Sequence, residues 1–375
     1  MKFIFAGGGT GGHLFPALAL AEEFRKRDKG VEILFIGGRG GLEEKIVPAR
    51  GFPLTLLNVA GIKRTRGVKR IAALVKAAAA TFKAIKILRS IRPDGVIGSG
   101  SYSSAPVVTA ARLLGIRTAI LEQNALPGLT NRFLGKFVKR VYVAFEEAKE
   151  FFPRSKTVLA GNPMRKEVLK MIGERSKAFP GREAGKNFTV LVFGGSQGAT
   201  AINAAFLDAS EYLTDIWGGL SVIHQTGEKG YQYVKDAYER KGLEASIHKF
   251  IDEMGEAYAS ADLVVCRAGA TSISEITAFG LASILVPYPF ASDNHQEVNA
   301  RCLSERGAAV MIPQEKLTGR TLADSIRRFY ENHGELKSVS ERAGAFGRPG
   351  AAGVIADNFL GLIAPGRGFQ ESAAG

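Results

Sequence analysis

Short, wholly apolar runs recur along this chain, and between them apolar residues return every three to four positions. Strands are predicted near 2–6, 31–36, 53–58, 94–98, 117–121 and 139–144, and a second series near 188–194, 220–225, 247–251, 262–266, 283–287 and 308–312. Apolar strands alternating with helical stretches predict an α/β class with parallel, doubly wound sheets, and two series predict two such domains. The length of 375 residues agrees, since one core rarely grows beyond ~250–300 residues. The divide is placed at Gly161-Asn162-Pro163, giving domains of 1–162 and 163–349. Polar, turn-rich Arg175–Lys186 is read as a loop just inside the second domain, and the small, polar stretch 365–375 as a disordered tail.

Three of the predicted strands run into glycine turns and then helices: Gly7-Gly8-Gly9-Thr10-Gly11-Gly12-His13, Gly194-Gly195-Ser196-Gln197-Gly198-Ala199, and Arg267-Ala268-Gly269-Ala270-Thr271-Ser272. Glycine lets a backbone approach a ligand closely, and the first N–H groups of the next helix favour an anion. Such turns suit a phosphate or a sugar nucleotide. Gly7, Gly9 and Gly12 also satisfy G-x-G-x-x-G, but an NAD site wants an acid at the end of the second strand, where this chain has Gly37-Gly38. A P-loop fails because His13 stands where Lys is required.

The formal charge is +14, and its distribution is uneven. No acid occurs between Glu44 and Asp94, whereas Lys63, Arg64, Arg66, Lys69, Arg70, Lys76, Lys83, Lys86, Arg89 and Arg92 all do. A helix is predicted over Val68 to Ile91, with Ile71, Val75, Ala78, Phe82 and Ile85 on one face and Lys69, Lys76 and Lys83 on the opposite one. The apolar face is read either as packed on a sheet or as meeting lipid, and the basic face as attracted to an anionic membrane surface. Nucleic acid is excluded as a partner, since no binding module and few interleaved aromatics accompany the charge. Two cysteines, Cys266 and Cys302, make no disulfide framework, and no leader or spanning run is apparent. The expectation is a cytoplasmic protein.

Several motifs together resemble one family. Gly8-Gly9-Thr10-Gly11-Gly12-His13 with Phe15-Pro16-Ala17, Glu122-Gln123-Asn124, Gly161-Asn162-Pro163-x-Arg165, Gly194 to Ala199, Cys266-Arg267-x-Gly269-Ala270, Ser274-Glu275 and His295-Gln296-x-x-Asn299-Ala300 are similar to the MurG family of peptidoglycan N-acetylglucosaminyltransferases. The resemblance implies a GT-B fold, two Rossmann-like domains facing across a cleft. It implies a UDP-GlcNAc donor held by the C-terminal domain, and a lipid-linked muramyl pentapeptide acceptor (lipid I) met by the N-terminal domain on the cytoplasmic face of the inner membrane. A last helix, about 350–364, crosses back to the first domain. Other cell-wall synthesis proteins are expected partners. Related readings are a diacylglycerol glycosyltransferase, a UDP-GlcNAc 2-epimerase, and a non-catalytic membrane scaffold that senses UDP-sugar.

An inverting transfer needs a group to take the acceptor proton. His13 is one candidate, with orientation of the loop or contact to acceptor phosphate as its other role, and Glu122 is the competing base. Donor contacts are expected at Thr10, Gly11, Gly12, Arg165, Ser196, Ala270, Thr271, Ser272 and Glu275, and the resemblance implies further ones at Asn124, His295, Gln296 and, through its backbone, Ile251. Arg165 could instead form a salt bridge, and Glu275 could instead cap its helix through Ser272. Acceptor-phosphate or membrane contacts are expected at Gly9, Ser101, Tyr102, Lys69, Lys76, Phe82 and Lys83. Ser101 stands where the family has glycine, and serves there if its backbone angles are ordinary. No Asp-x-Asp pair flanks the turns, so no metal and no cofactor is expected.

Overall fold

Alternation along the first strand sets two buried faces: Phe3 and Phe5 join one core layer, Ile4 and Ala6 the other. A computed structural model describes residues 1–59, 68–178, 187–195 and 197–363, and it divides into two compact units. The first comprises residues 1–123, 127–163 and the chain from 350 onward; the second comprises 124–126 and 164–349.

The first unit carries β1 (Lys2–Ala6), α1 (Gly11–Arg27), β2 (Glu32–Gly38), α2 (Glu43–Ala49), β3 (Leu54–Leu57), α3 (Val68–Ile91), β4 (Gly95–Gly98), α4 (Ser104–Leu113), β5 (Arg117–Glu122), α5 (Leu129–Leu134), β6 (Arg140–Val143) and β7 (Thr157–Leu159). All seven strands are parallel, in the order β3-β2-β1-β4-β5-β6-β7. Helices α3, α4 and α5 supply one core layer and α1 and α2 the other.

The second unit carries α6 (Lys166–Ala178), β8 (Phe188–Phe193), α7 (Thr200–Ala209), β9 (Leu220–Gln225), α8 (Tyr231–Lys241), β10 (Ser246–His248), α9 (Met254–Ser260), β11 (Leu263–Cys266), α10 (Ala270–Ala278), β12 (Ala282–Leu285), α11 (His295–Ser304), β13 (Val310–Met311), α12 (Gly319–Glu331) and α13 (His333–Ala345). Its six strands are also parallel, in the order β10-β9-β8-β11-β12-β13. The final helix, α14 (Ala351–Ile363), packs on α1 of the first unit. Phe359 enters beside Gly95, Arg27 pairs with Asp357, and the Tyr142 hydroxyl donates to Asn358 Oδ1 at 2.9 Å.

In both sheets the chain reverses direction of travel beside the first strand, between β1 and β4 and between β8 and β11. Ligands of open parallel sheets bind beyond the carboxyl ends of strands at such switch points. The three glycine turns follow β1, β8 and β11, and a fourth turn, Ser99-Gly100-Ser101, follows β4.

Two sequence expectations are corrected here. Arg175–Ala178 continue α6 rather than opening a loop. In α3 the buried stripe is Ala80, Ala84 and Leu88, small enough at its first two positions for close packing on α4, while Val75 (63% exposed), Ala78 and Phe82 (62%) face solvent. Exposed Lys76 and Lys83 lie beside them, and the Lys86 ammonium sits 5.1 Å from the Phe82 ring centroid. Apolar and basic groups therefore share one solvent face instead of opposing each other. Lys63, Arg64 and Arg66, the side chains of Lys69, Arg70 and Ile71, residues 179–186, Ser196 and the tail 365–375 lie outside the described residues.

Candidate active site

The turn after β1 leads into α1 with Gly9 and Thr10 exposed and the N–H groups of Gly11 and Gly12 at the helix start, where no intrahelical acceptor exists. Gly9 is already engaged. Its N–H donates to Glu43 Oε2 at 2.7 Å, while Gly38 N–H donates to Glu43 Oε1 at 3.0 Å. Glu43 is 1% exposed and enclosed by Gly8, Gly37 and Gly41, at each of which a Cβ would collide with its carboxylate. A carboxylate of the chain thus fills the part of this turn nearest β2. Sequence reasoning passed over Glu43; the signal was an acid directly following Gly40-Gly41-Leu42 beyond a buried strand.

His13 is part-buried on the first turn of α1. Its Nδ1 lies 3.0 Å from Gln123 Oε1, and Gln123 Nε2 donates to the Ser99 carbonyl at 3.1 Å. Burial pushes the imidazole pKa below its ordinary 6.5, partly offset by Gln123 and the Ser99 backbone, so the ring is neutral near pH 7. Glu122, at the end of β5, is buried and accepts from Asn131 Nδ2 at 2.9 Å and Gly128 N–H at 3.3 Å. It is anchored to α5, whereas His13 is the titratable group seated on the glycine turn.

Ser101 does not have ordinary backbone angles. Its φ is 70°, following Gly100 at 93°, so a side chain occupies the left-handed region that favours glycine. Ser101 Oγ meets Ser103 Oγ at 2.9 Å, Ser104 Oγ donates to the Ser101 carbonyl at 2.9 Å, and Tyr102 is exposed.

In the second unit, Arg165 Nη2 lies 3.2 Å from Glu275 Oε1, and the Tyr258 hydroxyl donates to Glu275 Oε2 at 3.1 Å. Burial raises the Glu275 carboxyl, and Arg165 and Tyr258 oppose that shift. Glu275 therefore does not cap α10 through Ser272; the capping alternative is replaced by an ion pair. At the same helix start Thr271 Oγ1 is buried without a hydrogen-bond partner, the kind of orphaned donor that a bound oxygen would satisfy.

Ile251, expected to read a base through its backbone, donates its N–H to Gln225 Oε1 at 2.9 Å, and Gln225 Nε2 donates to the Gly195 carbonyl at 2.9 Å. Buried Gln225 links the glycine turn after β8 to the segment carrying Ile251. Asn124 groups with this unit: Asn299, fully buried, donates to Asn124 Oδ1 at 3.1 Å and accepts from Ala125 N–H at 2.9 Å. Gln296 Oε1 accepts from Tyr288 N–H at 3.0 Å, and His295 Nδ1 approaches the Ser292 carbonyl at 2.6 Å. Gln225 and Asn299 were not among the expected site residues, because their partners are remote in sequence. Among the described residues no cluster of three His, Cys, Asp or Glu side chains could hold a metal, and no helix is long and apolar enough to cross a membrane.

Residues 3–143 match the glycosyltransferase family 28 N-terminal domain and residues 189–353 the C-terminal domain of the same family. A relative from Syntrophus aciditrophicus named UDP-N-acetylglucosamine–N-acetylmuramyl-(pentapeptide) pyrophosphoryl-undecaprenol N-acetylglucosamine transferase is 47% identical over 97% of this chain and 99% of its own length. The crystal structure of Acinetobacter baumannii MurG matches with a TM-score of 0.78 at 30% identity, covering 96% of this chain and 99% of that one. A Neisseria meningitidis UDP-GlcNAc 2-epimerase shares the fold alone, at 12% identity and a TM-score of 0.65 over 96% of this chain and all of that one.

Proposed function

The chain belongs to the MurG family of glycosyltransferase family 28, and from that premise we propose that it transfers N-acetylglucosamine from UDP-GlcNAc to undecaprenyl-pyrophosphoryl-MurNAc-pentapeptide, forming the lipid-linked disaccharide of peptidoglycan synthesis. The observation that carries the mechanism is the position of His13, at the start of α1 beside the switch point of the first sheet with Nδ1 3.0 Å from Gln123 Oε1. The acceptor hydroxyl oxygen attacks the anomeric carbon, the bond from that carbon to UDP breaks with inversion, and the hydroxyl proton passes to His13. Anchored Glu122 is the weaker claimant for the proton.

The N-terminal unit takes the acceptor and the C-terminal unit the donor. Charge developing on UDP is met by the N–H groups at the start of α10 (Ala270, Thr271 and Ser272), by the turn holding Ser196, and by Arg165. Glu275 accepts from the ribose hydroxyls, and Ile251 reads uracil once its N–H leaves Gln225. Thr10, Gly11, Gly12, Asn124, His295 and Gln296 complete the donor contacts. Gly9, with its N–H on Glu43, contributes shape rather than a donor to the acceptor phosphates, beside Tyr102; Ser101, at φ of 70°, does not meet the condition set for its contact.

The solvent face of α3, with Val75, Phe82, Lys76 and Lys83 together, supports peripheral attachment to the cytoplasmic face of the inner membrane. The test is transfer of labelled GlcNAc to a short-chain lipid I analogue, with chelator present and with a no-acceptor control. Acceptor-dependent disaccharide is expected. Donor binding without transfer, or epimerisation without acceptor, would overturn the assignment. Binding to anionic vesicles is expected to weaken with salt, and salt-insensitive binding would remove the basic face from the account.

A further inference from the structure

The ring of His13 has two nitrogens, and only one can carry the proton while the ring is neutral. Which one is decided by a neighbour whose own orientation is not in doubt. A backbone carbonyl only accepts, so the Gln123 atom 3.1 Å from the Ser99 oxygen is its NH2 group. The other amide atom, Oε1, is then the one 3.0 Å from His13 Nδ1, and a carbonyl oxygen there requires Nδ1 to donate. Nδ1 is protonated, and Nε2 carries the lone pair.

The rest of the Nδ1 edge is closed by backbone. Gly100, with φ of 93°, passes so near the ring that a Cβ there would stand 2.8 Å from Nδ1 and 2.9 Å from Cε1. Gln123 is 2% exposed at the end of β5, so its rotamer is set by the sheet and by Ser99. The titratable groups on the elements around the ring are Glu43 of α2, Glu122 of β5 and Tyr102 of the β4–α4 turn. None of them enters the His13 shift, whose contributors are burial, Gln123 and the Ser99 backbone.

We infer that Gln123 is the positioning residue of the transfer reaction: it fixes the His13 tautomer so that Nε2, unprotonated, receives the acceptor hydroxyl proton, while Oε1 continues to accept from Nδ1–H in the imidazolium that results. A neutral amide suits this task. It holds the tautomer without adding the negative charge that would draw a proton onto Nε2 before substrate arrives. The inference rests on His13 as the proton acceptor.

The test begins with the His13 tautomer in the wild-type protein. Histidine ring 15N spectra near pH 7.5, with His13 assigned by difference against His13→Gln, are expected to show the Nδ1–H tautomer; an Nε2–H tautomer would overturn the inference. Gln123→Glu keeps the shape but gives up the donor to the Ser99 carbonyl; once ionised it is expected to move the acid limb of the kcat/KM profile up by about one pH unit, because a carboxylate at this distance favours the imidazolium. Gln123→Leu is expected to lower kcat at least ~10-fold with the KM for UDP-GlcNAc unchanged, as the tautomer is released. An acid limb lost in His13→Ala but unmoved in Gln123→Glu would overturn the positioning role alone. A limb that persists in His13→Ala would overturn the assignment of His13 as base, and the inference with it.

Discussion

After β1 the glycine turn holds a carboxylate of the chain itself, Glu43 against the N–H groups of Gly9 and Gly38; after β11 the turn into α10 leaves Thr271 Oγ1 buried and without a partner. Both are strand–turn–helix units at the switch point of a parallel sheet, and both begin a helix whose first N–H groups favour an anion. The difference comes from elsewhere in the chain. In the first unit an acid 34 residues away closes part of the turn and leaves the helix start, with His13, for chemistry. In the second, Glu275 is held by Arg165 and Tyr258, and Thr271 Oγ1 at the helix start is left without a hydrogen-bond partner. A glycine turn is therefore permission for anion binding, and a remote side chain decides whether the permission is used.

That comparison assigns chemistry to one turn and binding to the other, and the largest effect follows from the first. His13→Ala is expected to lower kcat by ~10²–10⁴-fold while the KM for UDP-GlcNAc stays within a few-fold. Steady-state kinetics decide it. A raised KM with kcat preserved would place His13 in donor binding and erase the contrast. The second turn should behave the other way. Glu275→Gln removes a charged hydrogen-bond acceptor from Arg165 and, under the proposed function, from ribose, and the KM for UDP-GlcNAc is expected to rise about tenfold, in line with ~1.5–3 kcal/mol for such bonds. A fall in kcat at unchanged KM would show that the two turns are not divided in this way.

Glu43 offers the most direct attack on the contrast itself. Glu43→Ala takes the acceptor from the part-buried N–H groups of Gly9 and Gly38, and the first unit is expected to lose ~1–3 kcal/mol. It also empties the turn, so inorganic pyrophosphate should raise the melting temperature of the variant by more than it raises that of the wild type, where only the second unit's turns take the anion. Equal responses in both proteins would mean that the carboxylate does not stand where an anion would bind.

Much of this arrangement is legible in sequence, and the parts that are not share a cause. Every strand of the second sheet and six of the seven in the first appear in the hydrophobic pattern, because strands covered on both faces read as apolar runs. The exception is β7, Thr157–Leu159, a three-residue edge strand that is only part-buried. The position of α3 is legible too, but its buried face is not. Periodicity weights large apolar side chains, whereas packing on α4 selects the small ones, Ala80 and Ala84. The glycine turns and His13 announce themselves locally. Glu43 and Gln225 do not, and Gln123 and Asn299 stand in recognisable motifs whose sequence hides their roles, since each acts through a hydrogen bond to a residue far along the chain. Linear pattern specifies which turns exist; the sheet order specifies what reaches them.

The fourth turn, after β4, gives the smallest expected effect. Ser101 sits at φ of 70°, where a Cβ costs ~1–2 kcal/mol relative to glycine. Two contacts hold it there, the Ser103 hydroxyl at 2.9 Å and the Ser104 hydroxyl on its carbonyl at 2.9 Å, and the second survives substitution by glycine. Ser101→Gly relieves the strain but frees the unfolded chain, which offsets ~0.4–1 kcal/mol. The balance is a stabilisation below about 1 kcal/mol, read as a small rise in melting temperature. Because the backbone path is kept, kcat/KM for the lipid I analogue is expected to change less than about twofold, below the ~1 kcal/mol of a typical hydrogen bond. A larger loss at constant donor KM would mean that the Ser101 hydroxyl itself touches the acceptor, and that the first unit binds an anion at β4 as well as performing chemistry at β1.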